Sequence, residues 1–289
     1  MTDEREATRG TANVDVVMLT QNEAVNVPHS LPSVVGWARR VFVVDSGSTD
    51  ETVRICRELG ATVVDRPWLG YARQKNWALD NLPFEADWTL IVDADEKVLP
   101  DLREAIDRVI GKPVSDVPES GFLVNRYFVF LGQRIRHCGY YPSYNLRLFK
   151  RGKARYEERE VHEHMIVDGP TAKIAGHLEH NDRRGLEDYM AKHNRYSTLE
   201  AREIFSVLNE AQRHHIKANF LGDPLERRRW IKESLYPKLP AKWLFRFGFM
   251  YFLRGGFLDG RKGFDFCLFM SAYELLIGLK LKELGLRNS

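Results

Sequence analysis

Cysteine is scarce in this chain. There are three in 289 residues, Cys56, Cys138 and Cys267, odd in number and far apart. They form neither a disulfide framework nor a zinc motif, and they fit a reducing cytoplasm. Long apolar runs are also missing, and nothing approaches the roughly 18 residues of a membrane span. Residues 1–13 are polar and charged with no apolar centre, so no signal peptide is expected there, only a disordered lead-in. There is no G-x-G-x-x-G and no Walker lysine motif, which weakens the ordinary dinucleotide and nucleoside-triphosphatase readings. Repeats and low-complexity tracts are absent. A bulk excess of one sign is missing too: 43 Lys and Arg against 40 Asp and Glu leave a net of +3, so the whole molecule is not a polyanion binder.

What is present is an apolar chain, 44% hydrophobic, sufficient for a substantial core and one or two domains. Its most informative stretch is Trp88-Thr-Leu-Ile-Val-Asp-Ala-Asp-Glu96. The apolar run predicts a buried parallel strand. Carboxylates are costly to desolvate, so Asp93 and Asp95 belong at its exposed carboxyl end. In an open α/β sheet ligands bind at that end. A divalent metal holding a diphosphate would offset their repulsion. The plainer alternative is an acidic turn before a helix N-terminus, and Glu96 reads as the start of the next turn.

Three further strands are predicted at residues 14–20, 41–45 and 61–65. Helices are predicted at 24–37, interrupted by Pro28 and Pro32, and at 51–59 and 71–82, with Thr49 or Asp50 as a cap and Gly60 as a terminator. Alternating strands and helices imply a parallel sheet with helices on both faces. Right-handed crossovers bring the strand ends to one edge, gathering Thr20, Glu23, Asp45, Ser46 and residues 93–95. After a helix at 99–110 and a loop at 111–120 the pattern changes to mixed strands, at 121–130 and 145–149, around a hairpin-like excursion through Gly132, His137 and Gly139.

Tyr156-Glu-Glu-Arg-Glu-Val-His-Glu-His164 packs four glutamates and two histidines into nine residues, with His177 and His180 downstream. It reads either as a solvated charged segment or as a general base with metal or phosphate partners. A long amphipathic helix is predicted from about 183 to 214. On it His193 and Arg195 are either solvated or within reach of a phosphate. Residues 213–262 hold twelve Lys or Arg against four Asp or Glu, interleaved with Trp243, Phe245, Phe247, Phe249, Tyr251 and Phe252. This suggests an element lying on an anionic bilayer. A helical core with a basic outer face is the alternative. Nucleic acid is not expected, since no recognisable nucleic-acid module is present. Glycines 255, 256 and 260 form a turn before a last helix at 264–284.

Four pieces together carry a family resemblance: Leu19-Thr-Gln-Asn-Glu23, Val43-Val-Asp-Ser-Gly-Ser-Thr-Asp50, Gly70-Tyr-Ala-Arg-Gln-Lys-Asn76 and Leu90-Ile-Val-Asp-Ala-Asp95. In order and spacing the chain resembles an inverting, metal-dependent glycosyltransferase of family 2 with the GT-A fold. That fold is α/β, a Rossmann-like nucleotide-binding mixed sheet flanked by helices, here followed by a helical, basic-aromatic C-terminal region. Within the family the chain is similar to the lipopolysaccharide-core β-1,4-glucosyltransferase-like group, through Val161-His-Glu163, the helix around residues 189–201, and Gly256-Phe-Leu-Asp-Gly260. The implied layout is a lead-in at 1–13 and a catalytic domain at 14–182. Residues 14–110 would form its nucleotide-sugar half and 111–182 its acceptor half, with a membrane-associating region at 183–289.

The resemblance implies roles. Thr20, Glu23, Asp45, Arg73, Lys75 and Asp93 would bind the nucleotide sugar, a UDP-linked hexose. Asp95, with Asp93 and His180, would hold Mg²⁺ or Mn²⁺. Many members carry an acidic pair as the base motif; none lies in the corresponding region here, and Glu163 takes that role. His162, His164 and Arg195 would contact phosphate or acceptor. The implied acceptor is a lipid-attached glycan such as lipopolysaccharide core, at the cytoplasmic, inner face of a bacterial cell membrane. Alternatives are transfer to polyprenyl phosphate or an exopolysaccharide intermediate, a nucleotidyltransferase, and a non-catalytic nucleotide-sugar or membrane-binding module.

Overall fold

The computed structural model describes residues 8–157, 165–213 and 241–287. The chain divides into two compact units, one of residues 1–136 and 140–185, the other of 137–139 and 186–289.

The first unit is built on one nine-stranded mixed sheet. Strands β1 (Ala12–Thr20), β2 (Ala38–Asp45), β3 (Thr62–Asp65) and β4 (Trp88–Ile91) form its parallel half, in the order β3-β2-β1-β4. Side chains along β1 alternate between two cores. Val14, Val16 and Met18 pack with Val27, Leu31 and Cys56 on one face, while Val17 packs with Phe42, Ala78 and Leu82 on the other. Helices therefore cover both faces: α1 (Val27–Ser30) and α2 (Thr52–Glu58) on the first, α3 (Tyr71–Asn81) on the second.

The expected helix at 24–37 is only α1 plus a 3₁₀ turn, Leu31–Ser33: Pro28 fits the first turn of α1, where its missing N–H costs nothing, but Pro32 has no N–H with which to continue the ladder. Gly60 ends α2 with φ +92°, as its position predicted. The lead-in is shorter than expected: β1 starts at Ala12, and the amide of Thr8 donates to the Gly60 carbonyl.

Past β4 the sheet turns mixed. It continues as β8 (Tyr144–Lys150), β6 (Gly121–Phe130), β11 (Thr171–His180) and β5 (Glu96–Val98), with β7 (Gln133–Ile135) paired to β6. β8 runs antiparallel to β4 and β6, whereas β6 and β11 are parallel to each other. β11 therefore runs in the direction of β4, and His180 emerges at the edge where Asp93 does. Helix α4 (Pro100–Ile110) lies against β11: a Cβ on Gly176 would stand 2.3 Å from the Cα of Leu102. A small hairpin of β9 (Ala154–Tyr156) and β10 (Met165–Val167) completes the unit. Glu96 is not the start of a turn. It opens β5, opposite His180, with no solvent exposure.

In the second unit, helix α5 (Leu186–Arg213) packs along α7 (Gly260–Arg287). The Tyr273 hydroxyl donates to Glu200 at 2.6 Å, and Lys280 reaches the Asn194 carbonyl at 2.6 Å. Between them lie α6 (Lys242–Gly248), a π-helical turn (Phe249–Leu253) and a 3₁₀ turn (Gly256–Asp259). Buried Asp259 accepts from the backbone N–H of His137 at 2.8 Å and pairs with its Nδ1 at 3.0 Å. No described helix is long and apolar enough to cross a membrane.

Candidate active site

The site begins where β1 and β2 end. Thr20 Oγ1 donates to Asp45 Oδ1 at 2.8 Å, and the amide of Ser48 donates to Asp45 Oδ2 at 2.8 Å. Two turns are laced together beyond them. Asn22, at φ +54°, accepts from the Thr49 amide, and the Glu23 amide donates to Thr52 Oγ1. Asp45 is thus a buried carboxylate facing hydroxyls and amides, an acceptor suited to N–H or O–H groups. Gln74, on α3, donates to Ser46 Oγ and to the Arg66 carbonyl, while its Oε1 is buried without a partner among the described residues.

At the end of β4 the two acids of Asp93-Ala-Asp95 have different partners. Asp93 Oδ1 takes Lys75 Nζ at 3.3 Å, and Oδ2 takes Arg147 Nη2 at 2.5 Å. The same Arg147 nitrogen reaches Glu96 Oε1 at 2.6 Å, and Arg126 approaches that oxygen at 3.5 Å. Burial alone would raise the Asp93 carboxyl, but Arg147 and Lys75 hold it well below the usual carboxylate range. Burial lowers Lys75 and Arg147, yet Asp93 brings both above their ordinary values. The group is a closed ion network.

Asp95 belongs to a second cluster. Its Oδ2 lies 3.0 Å from His180 Nε2, with the two side chains 11% and 18% exposed. Beside them, Asn26 Nδ2 donates to Glu23 at 2.6 Å and to Asp182 at 3.1 Å, and Arg184 pairs with Asp182 at 2.6 Å and Glu23 at 3.2 Å. Burial pushes the Glu23 carboxyl up to about 7; Asn26 and Arg184 oppose that rise and Asp95 adds to it.

The Asp95–His180 pair fits a divalent cation. An octahedral ion with bonds of about 2.1 Å separates neighbouring ligand atoms by about 3 Å. The Nε2 to Oδ2 spacing of 3.0 Å is that of a hydrogen bond between the two side chains, and it is compatible with such an edge. His180 Nδ1 is buried with no hydrogen-bond partner among the described residues, and Nε2 is the ring nitrogen turned to the Asp95 carboxylate. Among the described residues no group of three or more His, Cys, Asp or Glu is arranged to hold a metal. A cation here would draw its remaining ligands from substrate phosphate and water.

Of the residues expected at the sheet edge, Thr20 bonds to Asp45, Asp93 finds Lys75 and Asp95 finds His180, with Glu23 beside the last pair. Arg73 is exposed on α3. Glu163, His162 and His164 lie outside the described residues. Arg195 is exposed on α5, in the second unit. His193 is partly buried and engaged within the second unit: its Nδ1 pairs with the Tyr189 carbonyl at 2.8 Å and its ring packs against Phe269 and Tyr273.

Arg147, Arg126, Gln74, Asn26, Asp182 and Arg184 also belong to the site, and none of them stands out as a site residue in the sequence. One signal was available, since an arginine inside the apolar strand Leu146-Arg-Leu-Phe149 must find a carboxylate if it is buried.

The family model "Glycosyl transferase family 2" matches residues 15–164, and the chain belongs to that family. A relative of stated role is the lipopolysaccharide core biosynthesis glycosyltransferase LpsC of Rhizobium meliloti. It is 33% identical over 175 residues, 56% of this chain and 60% of that protein. An uncharacterized glycosyltransferase of Rickettsia bellii is 40% identical over 106 residues, 37% of this chain and 35% of the relative, so the match spans about a third of that protein's length. Among solved structures, glucosyl-3-phosphoglycerate synthase from Mycobacterium tuberculosis in complex with Mn²⁺, UDP and glucosyl-3-phosphoglycerate aligns over 41% of this chain and 44% of its own. The TM-score is 0.30 and the identity 22%.

Proposed function

We propose that this chain transfers a sugar from a nucleotide diphosphate donor, UDP-linked, to a lipid-attached glycan such as lipopolysaccharide core, with inversion at the anomeric carbon. The observation that carries this reading is the divided pair of acids. Asp93 is neutralised by Lys75 and Arg147, while Asp95 stands with His180 at the edge that also bears Thr20 and Asp45.

Asp45 accepts from the nucleobase or ribose, held in orientation by Thr20 and Ser48. Glu23 accepts a ribose hydroxyl when ionised. Lys75 and Arg147 fix the Asp93 carboxylate for the ribose. Asp95 and His180 would hold Mg²⁺ or Mn²⁺, which when bound offsets the charge developing on the leaving diphosphate. Glu163 takes the proton of the acceptor hydroxyl as its oxygen attacks the anomeric carbon and the bond to the diphosphate oxygen breaks. One displacement turns an α-linked donor into a β-glycoside. The acceptor puts the enzyme on the inner face of the cell membrane as a peripheral protein.

The test is a nucleotide-sugar screen read by the product released. Release of nucleoside diphosphate that vanishes in Asp95→Ala is the expected result. Release of pyrophosphate would instead mark a nucleotidyltransferase, and no turnover with any donor would leave a binding module. Acceptor trials with lipopolysaccharide core and with polyprenyl phosphate separate the two acceptor classes.

A further inference from the structure

The C-terminal unit carries a helical segment that is apolar on both sides. On α6 and the π-helical turn after it, the inward positions are conventional. Met250 is 3% exposed, and Phe247 stacks on Tyr251 at 5.3 Å, with Phe264 edge-on to both. The opposite side holds Leu244, Phe245, Phe249, Phe252 and Leu253, between 49% and 78% exposed. A helix with apolar side chains on opposite sides needs apolar cover for both, and this one has a core on one side only.

The turn that follows extends the ridge. Gly255, at φ +67°, reverses the chain, and a Cβ on Gly256 would stand 2.7 Å from Cys267 Sγ and 2.9 Å from the Met250 carbonyl. With Gly256 pressed inward, Phe257 and Leu258 face out, 49% and 61% exposed. Seven large apolar side chains thus project from fifteen consecutive residues, 244–258. That is a contiguous patch, not the scattered exposure normal for a surface.

The charge beside the ridge selects among occupants. Residues 242–262 contain five basic side chains, Lys242, Arg246, Arg254, Arg261 and Lys262, and one acid. The acid, Asp259, is buried against His137 and faces away from any occupant. Arg246 has Glu274 at 3.9 Å, and Arg254 and Arg261 are exposed. A second copy would bring like charge against like. An anionic lipid surface offers the opposite charge and an apolar interior. Spanning is ruled out for this segment: its twelve helical residues, 242–253, rise about 18 Å, against about 30 Å of hydrocarbon.

We propose that the ridge of Leu244, Phe245, Phe249, Phe252 and Leu253, continued by Phe257 and Leu258, lies in the plane of an anionic bilayer leaflet with its side chains in the acyl boundary. This gives the peripheral attachment proposed above a definite surface, and it rests on that reading only for its purpose, not for its evidence. Insertion of this kind is shallow and needs both contributions, apolar burial and attraction to anionic headgroups.

The test uses the full chain and two vesicle compositions, phosphatidylcholine alone and phosphatidylcholine with phosphatidylglycerol. The expected result is flotation with the anionic vesicles, at least tenfold weaker in the triple variant Phe245→Ser/Phe252→Ser/Leu253→Ser. Hydrolysis of UDP-glucose in solution should stay within twofold of the parent, and a Phe252→Trp probe should be quenched by acyl-brominated lipid. Flotation undiminished in the triple variant, or an unquenched probe, overturns the proposal. So does absence of flotation combined with a dimer, seen by light scattering, that the triple variant loses. Loss of UDP-glucose hydrolysis in the unmodified chain would count against the glycosyltransferase reading and leave the vesicle result standing.

Discussion

Arg147 donates to Asp93 at 2.5 Å from the middle of a strand, and the same nitrogen holds Glu96 at 2.6 Å. One buried cation thus ties both sides of the acidic turn to β8. Removing it leaves Glu96 buried and Asp93 about a third exposed with reduced compensation; breaking a fully buried pair costs about 3–5 kcal/mol, and the exposure of Asp93 puts the loss at the low end of that range. Arg147→Met should lower stability by that order in urea unfolding. Adding Glu96→Gln should recover part of the loss, since one uncompensated charge is then gone. An unchanged urea midpoint in Arg147→Met would mean that the network contributes nothing to stability.

Glu23 makes stability depend on pH in a definite direction. Its carboxyl titrates near 4.5 when unfolded and at about 7 in the fold, raised by burial. Between those values the folded chain holds a proton that the unfolded chain has released, so stability falls as pH rises. Glu23→Gln removes this slope. Relative to the parent it should gain stability from pH about 4.5 to about 7, by up to about 3 kcal/mol, and run parallel outside that window. Thermal or urea midpoints across that range measure it; parallel curves throughout would refute the burial argument.

Glu163→Gln keeps the shape of the side chain and removes its basicity. The expected outcome is a kcat lower by about a hundredfold or more, with donor affinity within about twofold of the parent. Steady-state kinetics and calorimetry with UDP separate the two effects. Near-normal turnover would move the base to Glu158 or Glu160.

Gly176 and Gly47 share a left-handed backbone, with φ of +91° and +76°, but differ in surroundings. A Cβ on Gly176 meets the backbone of Leu102 at 2.3–2.4 Å, while one on Gly47 meets nothing within 4 Å. Gly47→Ala should cost only the backbone term, about 1–2 kcal/mol. Gly176→Ala should cost at least about 3 kcal/mol, because α4 must also move off β11. Equal losses in denaturant melts would contradict the close approach.

The parallel half of the sheet was legible because each of its strands is an apolar run leading to a polar end, and that pattern needs no knowledge of neighbours. Thr20, Asp45 and Asp93 could be named for the same reason. β11 was not legible: Thr-Ala-Lys-Ile-Ala-Gly-His-Leu-Glu-His has no apolar run and a left-handed glycine, and it is a strand only because β6 and β5 flank it. Glu96 and Arg147 escaped together. Each alone looks like a solvated charge, and only the long-range registry of β5 and β8 reveals that they bury one another. The role of His180 follows only from the resemblance; its pairing with Asp95, 85 residues earlier, depends on the same registry.

The three cations around Asp93 and Glu96 also bear on the part left to a metal. Lys75, Arg147 and Arg126 together outweigh the two carboxylates by one charge. Asp93 and Glu96 are thus compensated by cations of the chain itself, while Asp95, the third acid of the turn, has His180 beside it. If Asp95 and His180 hold the proposed ion, that ion is not what offsets the charge of Asp93 and Glu96. A chelator should silence turnover while leaving the melting temperature where it was, in contrast to small metalloproteins whose folding and loading are one event. The ion would behave as a co-substrate, and its cellular supply would set the rate of transfer without setting the amount of folded enzyme.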